Sequence, residues 1–205
     1  MWVVKLGGSL NLDPALPDWL ELIAAQGGGR VILVPGGGGF ADEVRRHQRH
    51  WGHDDLTAHN MAVLAMCQTG LMLHALLATR QPALARTMSL AQREAELRPA
   101  LCQGRVAVWL PFELLRERPE PPLTAWDSSA DTLALRLALR LHAERLVLVK
   151  SCPVPPPPLD LDALSAAGVL DRAFPQAARG APFPIELISR TEPERLRAGL
   201  CGLVA

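Results

Sequence analysis

Two glycine clusters, each closing a short apolar segment, constrain this chain more than any other feature. Lys5-Leu6-Gly7-Gly8-Ser9 follows Trp2-Val3-Val4, and Pro35-Gly36-Gly37-Gly38-Gly39 follows Val31-Ile32-Leu33-Val34. Glycine lets backbone N–H groups approach an anion closely and adopt conformations that a side chain forbids. Where such a loop opens a helix, the unpaired N–H groups and the helix dipole favour phosphate. One loop of this kind points to a nucleotide. Two, with a lysine built into the first, point to two phosphate-bearing ligands brought together, the geometry that phosphoryl transfer needs.

Strand and helix patterns alternate around these loops. Strands are expected at 2–6, 31–34, 106–110 and 146–150, with a weaker one at 85–88, and helices at 15–25, 40–50, 57–77, 91–101 and 128–142. Residues 159–205 read as helix, strand and terminal helix. Short, continuously apolar strands separated by helices imply a mainly parallel sheet covered on both faces, a three-layer α/β/α sandwich. At 205 residues the chain suits one compact domain spanning 1–205. Residues 153–158, Pro-Val-Pro-Pro-Pro-Pro, break the rhythm as a stiff connector, a docking site for a proline-binding partner being the alternative.

The 21 basic and 21 acidic residues cancel, which argues against a generally basic nucleic-acid surface. Met1 leads directly into a strand with no secretory pattern, and no uninterrupted apolar run is long enough to span a bilayer. Cys67, Cys102, Cys152 and Cys201 are widely spaced and read as reduced thiols of a cytoplasmic protein.

Only two lysines are present, Lys5 and Lys150, and both end apolar strands; arginine fills every other basic position. A general surface role would not sort the two types in this way. Lys5 is either a side chain snorkelling from a strand end or an ammonium placed on a phosphate. Asp127 and Ser128 are candidates to cap the helix after Trp126. Asp131, one turn inside it, is placed to accept hydrogen bonds from both lysines. Gly36 to Ala41 also satisfies the Gly-x-Gly-x-x-Gly/Ala dinucleotide fingerprint. It follows the second strand, however, and leaves Lys5-Leu6-Gly7-Gly8 unexplained. Neither cluster runs into the Gly-Lys-Ser/Thr of a Walker loop.

The order Lys-x-Gly-Gly-Ser, Pro-Gly-Gly-Gly, Ser-x-Asp opening a helix, then a strand ending in lysine, resembles the amino acid kinase superfamily. The stretches 35–45, 58–68 and 126–131 look most like the aminomethylfuranyl-methyl phosphate kinases of methanofuran synthesis, which make a diphosphate from a furan monophosphate. The resemblance implies that Lys5, Gly7, Gly8 and Ser9 hold ATP phosphates. It implies that Gly36, Gly37 and Gly38 bind an acceptor phosphate, with Arg45 as a second contact and His59 nearby. Asp131 would organise the lysines, and Lys150 would stabilise the transferring group. Where relatives continue as Lys-x-x-Asp-Gly, this chain has Lys150-Ser151-Cys152-Pro153, so the nucleotide-base loop is altered.

The resemblance further implies Mg²⁺ on the ATP phosphates with few direct protein carboxylates, a small phosphorylated substrate and a homo-oligomer, with no nucleic-acid or membrane partner. His47, His50 and His53 are flanked by Arg45, Arg46 and Arg49, which would repel a cation, so no transition-metal site is expected. Uridylate or another small phosphate is the alternative acceptor. A non-catalytic nucleotide-binding subunit and a dinucleotide-binding oxidoreductase are the competing classes.

Overall fold

The computed structural model describes residues 1–120 and 129–202. Six strands form one sheet: β1 (Trp2–Leu6), β2 (Val31–Pro35), β3 (Met88–Ala91), β4 (Val106–Trp109), β5 (Arg145–Lys150) and β6 (Ile185–Ser189). Every pairing is parallel and the order is β3-β4-β2-β1-β5-β6. Alternate residues feed two apolar layers. Val3, Ile32, Ala107 and Leu148 face one, and Val4, Leu33, Val108 and Val149 face the other. Burial on both faces is why these strands read as continuous Val/Leu/Ile runs rather than as alternating ones.

One layer is closed by α5 (Glu94–Cys102), α6 (Ala130–Arg140) and α8 (Phe174–Ala178), through Leu97, Leu135 and Phe174. The other is closed chiefly by α1 (Leu16–Gln26), α3 (Asp55–Arg80) and α9 (Pro193–Leu200), through Trp19, Leu73 and Leu196. Two features differ from the sequence reading. Residues 82–85 form the short helix α4 (Pro82–Ala85), and the strand starts three residues later, at Met88. Pro82 at the first helical position favours that turn, while Met88 and Ala91 supply the buried positions of the strand. In addition, α3 is long and apolar enough, by length and composition alone, to cross a membrane. Its Val63, Met66, Cys67, Leu73 and Leu77 are buried in the two apolar layers, as in a core helix.

The order reverses around β1. The chain steps from β1 to β2 on one side and later returns to lay β5 on the other. Carboxyl ends of strands beside such a reversal open a crevice, the usual ligand position in open α/β sheets. Register puts Leu6 beside both Pro35 and Val149, so the two glycine clusters and Lys150 emerge at one level.

Candidate functional site

The glycine loops are built against each other, backbone on backbone. A Cβ added at Gly8 would lie 2.2 Å from the Gly38 nitrogen, and one at Gly36 would lie 2.4 Å from the Gly8 nitrogen. No side chain fits either position. Gly38, the first residue of α2 (Gly38–Trp51), has φ +54°, a left-handed conformation that favours glycine. Asn11 donates to the Thr69 hydroxyl (3.1 Å), and that hydroxyl donates to the Gly37 carbonyl (3.3 Å). Thus the loop after β2 is tied to the middle of α3, where Thr69 is buried.

Not every amide in these loops faces the crevice. The Gly7 N–H donates to the Val149 carbonyl and the Gly36 N–H to the Leu6 carbonyl, each at 3.0 Å, continuing the sheet by one residue. Those two glycines, expected to present N–H groups to phosphate, spend them on the sheet instead. Among the described residues, the N–H groups of Gly8, Ser9, Gly37 and Gly38 have no backbone acceptor. They form the donor set that an anion would meet. On the other side, the Ser9 hydroxyl donates to the Ser151 hydroxyl at 2.7 Å and joins the first loop to the end of β5.

Beside the loops lies a buried charge cluster. The Lys150 ammonium donates to Asp131 Oδ2 at 2.5 Å, and the Lys5 ammonium pairs with Asp131 Oδ1 at 2.8 Å. The second contact is an ion pair without the angle of a directed hydrogen bond. All three side chains are buried, so neither lysine snorkels. Burial alone would raise the Asp131 carboxyl, but the positive charges of Lys5 and Lys150 outweigh it and hold the group below its ordinary range. Burial, and then repulsion from Lys5, push the Lys150 ammonium down, against the pull of Asp131 and Asp171. Two ammonium groups on one carboxylate leave positive charge facing the crevice.

A cavity of about 380 Å³ opens from Lys5, Gly8 and Gly36–Gly38 toward α2 and α3. Its floor is apolar, from Val63, Met66 and Leu133, and its rim is polar, from Arg45, Asp55 and His59. Arg45 is paired with Asp42 at 2.8 Å. His59 Nε2 lies 3.1 Å from the Leu114 carbonyl oxygen, a contact that fixes the ring to the loop after β4. Burial lowers the His59 pKa, with the Leu114 carbonyl opposing it. Lys5, Gly8, Ser9, Gly36, Gly37, Gly38, Arg45 and His59 therefore share one cavity. Lys150 and Asp131 join it through Lys5, while Gly7 lies behind it as part of the sheet.

Trp126, Asp127 and Ser128 lie outside the described residues. Ser129 is the N-cap of α6. Sequence reasoning missed Asp171, whose carboxylate accepts hydrogen bonds from both Ser129 and Thr132. It also missed the Asn11–Thr69 brace. Neither carries a local pattern, because each contact closes over tens of residues. No cluster of three or more His, Cys, Asp or Glu side chains able to hold a metal occurs among the described residues.

Fold and site together are a parallel sheet with two glycine loops and a buried lysine–aspartate–lysine cluster at its topological reversal. The chain belongs to the amino acid kinase family, whose family model matches residues 1–153. Among curated proteins it is similar to the [5-(aminomethyl)furan-3-yl]methyl phosphate kinase of Methanocaldococcus jannaschii. That match is 33% identical over 67 residues, 32% of this chain and 31% of that protein, so it spans about a third of each. Among solved structures it is similar to UMP kinase from Bacillus anthracis, with TM-score 0.70, 15% identity, and 98% of this chain and 91% of that one covered. It is likewise similar to uridylate kinase from Archaeoglobus fulgidus, with TM-score 0.69, 17% identity, and 98% and 95% covered.

Proposed function

We propose that this protein transfers the γ-phosphoryl group of ATP to the phosphate of a small molecule, making a diphosphate, with (aminomethyl)furanyl-methyl phosphate as the leading acceptor. One observation carries the reading. Two sets of unpaired backbone N–H groups, on Gly8-Ser9 and Gly37-Gly38, flank the Lys5 ammonium at one level of the sheet. Two phosphate groups held there would meet with a cation between them. The apolar floor suits a small flat ring better than a second peptide or sugar chain.

In this reading Gly8 and Ser9 hold the donor phosphates, while Gly37 and Gly38 at the start of α2 hold the acceptor phosphate, with Arg45 beside it. An acceptor phosphate oxygen attacks the γ-phosphorus, a new P–O bond forms in line, and the bond to the β–γ bridging oxygen breaks to release ADP. The attacking oxygen is already anionic, so no general base is required, and His59 shapes the pocket. Lys5 neutralises charge on the transferred group, and Lys150 neutralises charge on the group or the departing diphosphate. Asp131 keeps both ammonium groups pointed inward. Positioning and charge stabilisation supply most of the catalysis in such transfers. Magnesium would ride on the ATP phosphates and supply further charge neutralisation.

Uridylate is the second reading, favoured by the full-length likeness to the two uridylate-type structures. A screen decides between them: ADP release measured with furanyl-methyl phosphate, UMP, isopentenyl phosphate and N-acetylglutamate. Preference for the furan phosphate is expected. Preference for UMP selects the second reading, and preference for the carboxylate of N-acetylglutamate overturns the phosphate-acceptor claim.

A further inference from the structure

Asp171 lies between α7 (Leu161–Ala166) and α8, about forty residues from the helix that it touches. Its Oδ2 accepts from the Ser129 N–H (2.8 Å), the Ser129 hydroxyl (2.8 Å) and the Thr132 N–H (3.0 Å), while Oδ1 accepts from the Thr132 hydroxyl. Its own carbonyl accepts from the Ser165 hydroxyl at 3.2 Å, which ties the loop to α7. A helix cap normally takes one side-chain oxygen from the residue at the helix start, and α6 already has one in Ser129, facing the Asp131 N–H. Asp171 accepts four more hydrogen bonds, from two residues. Those residues bracket Asp131, so one external carboxylate fixes the first turn on both sides of it.

The electrostatics point the same way. Among the described residues, three charged groups act on Lys150: Lys5 from β1, Asp131 from α6, and Asp171 from the loop before α8. Asp171, Asp131 and Arg45 also border one cavity. Asp131 alone cannot balance two ammonium groups in a buried setting, where an uncompensated charge is costly. Asp171 acts on Lys150 in the same direction as Asp131 and offsets part of that charge.

We propose that Asp171 is a positioning residue for the lysine–aspartate–lysine cluster: it sets the register of the α6 first turn, and hence the aim of Asp131, and adds a negative charge that acts on Lys150. Asn at this position can keep the hydrogen bonds, since its oxygen still accepts from three donors and its amide can donate to the Thr132 hydroxyl. It cannot keep the charge. Ala loses both.

Because Lys5 and Lys150 are the only lysines, ¹³Cε-lysine labelling gives two NMR signals, assigned with Lys5→Arg. Each is titrated in the wild type, Asp171→Asn and Asp171→Ala, and transfer kinetics are measured on the same samples. In both variants the Lys150 midpoint is expected to move to lower pH. In Asp171→Ala, kcat should fall on the order of tenfold to 100-fold with little change in either KM, as for a misaimed group. Asp171→Asn should recover most of that loss. The kinetic arm rests on the kinase reading; the titration requires no turnover and separates failure of the two. A Lys150 midpoint unmoved in both variants, with only the melting temperature lowered, would reduce Asp171 to a helix cap. Folded Asp171→Ala with wild-type kcat would overturn the proposal as well. Should Asp171→Ala not fold, the Asn variant and Thr132→Val, which removes only the Oδ1 donor, carry both measurements.

Discussion

The two halves of the site are built from different materials. Around Gly8, Gly36 and Gly38 the structure is backbone packed on backbone, with separations that exclude any side chain. Around Asp131 it is side chains from β1, α6 and β5, with Asp171 arriving from a fourth element. A backbone cradle depends on shape and is damaged by added atoms. A charge cluster depends on balance and is damaged by removed charge. The two halves should therefore fail in different ways, and the following substitutions test that, beginning with the largest effect.

Asp131→Asn removes the one carboxylate shared by two buried ammonium groups. Breaking a buried pair leaves uncompensated charge and costs about 3–5 kcal/mol, measurable by urea unfolding at pH 7. The pH dependence fixes the cause. Asp131 is held below its ordinary range, so its ionisation stabilises the fold above the unfolded value of about 3.9. That contribution is lost as pH falls through the lower, folded value. The gap between wild type and Asp131→Asn should therefore be full at neutral pH and narrow only in acid. Lys150, pushed down by burial, behaves oppositely: its cost is relieved as pH rises past its lowered value. A gap that does not change with pH would show that Asp131 acts by shape, like the glycine half.

Lys5→Ala and Lys150→Ala come next. Each leaves Asp131 with one partner, so the fold should survive by circular dichroism. Loss of one preorganised charge donor typically costs on the order of 10² to 10³ in turnover. Steady-state kinetics should show that loss in kcat. Near-normal turnover in folded Lys5→Ala would remove the charge cluster from the mechanism, whatever the acceptor.

The same contrast explains what could be read before the structure. The strands 2–6 and 31–34, their glycine loops and the two strand-end lysines announce themselves locally, because an apolar run followed by glycine has few other uses. Asp131 was legible too, once two lysines needed a partner. Asp171 and the Asn11–Thr69 brace were not, since hydrogen bonds across roughly forty to sixty residues leave no trace in spacing. The use of the Gly7 and Gly36 amides in the sheet was equally hidden, because a glycine that admits an anion and one that admits a neighbouring strand look alike in sequence. The misplaced third strand has a plainer cause: Ala85-Arg86-Thr87-Met88 is short and only half apolar, and the helix begun at Pro82 takes its first residue while the strand takes its last.

Gly8→Ala probes the backbone half. Its Cβ would lie 2.2 Å from the Gly38 nitrogen, so the loops must part. Overpacking of this kind costs about 1–3 kcal/mol. The separation also displaces the amides of Gly37 and Gly38, so KM for the phosphorylated acceptor should rise alongside any loss of kcat. The lysine variants should lack that KM effect. Parallel kinetics on the three proteins make the comparison, and an unchanged acceptor KM in Gly8→Ala would detach these amides from acceptor binding.

Gly39→Ala supplies the smallest effect and the control for the cradle. Gly39 adjoins Gly38 in the first turn of α2, yet an added Cβ meets nothing within 4 Å. Its backbone is not in the left-handed region. Alanine there should fit without strain and limit the freedom of the unfolded chain, stabilising the protein by about 0.4–1 kcal/mol with kinetics unchanged. Thermal melts and acceptor KM, measured beside Gly8→Ala, separate two meanings of the glycine run. If close packing is the requirement, the cluster contains positions that demand glycine and one that merely tolerates it. Damage from Gly39→Ala equal to that from Gly8→Ala would instead assign the requirement to what approaches the loop from the crevice, and would place the ligand over the open face of Gly39.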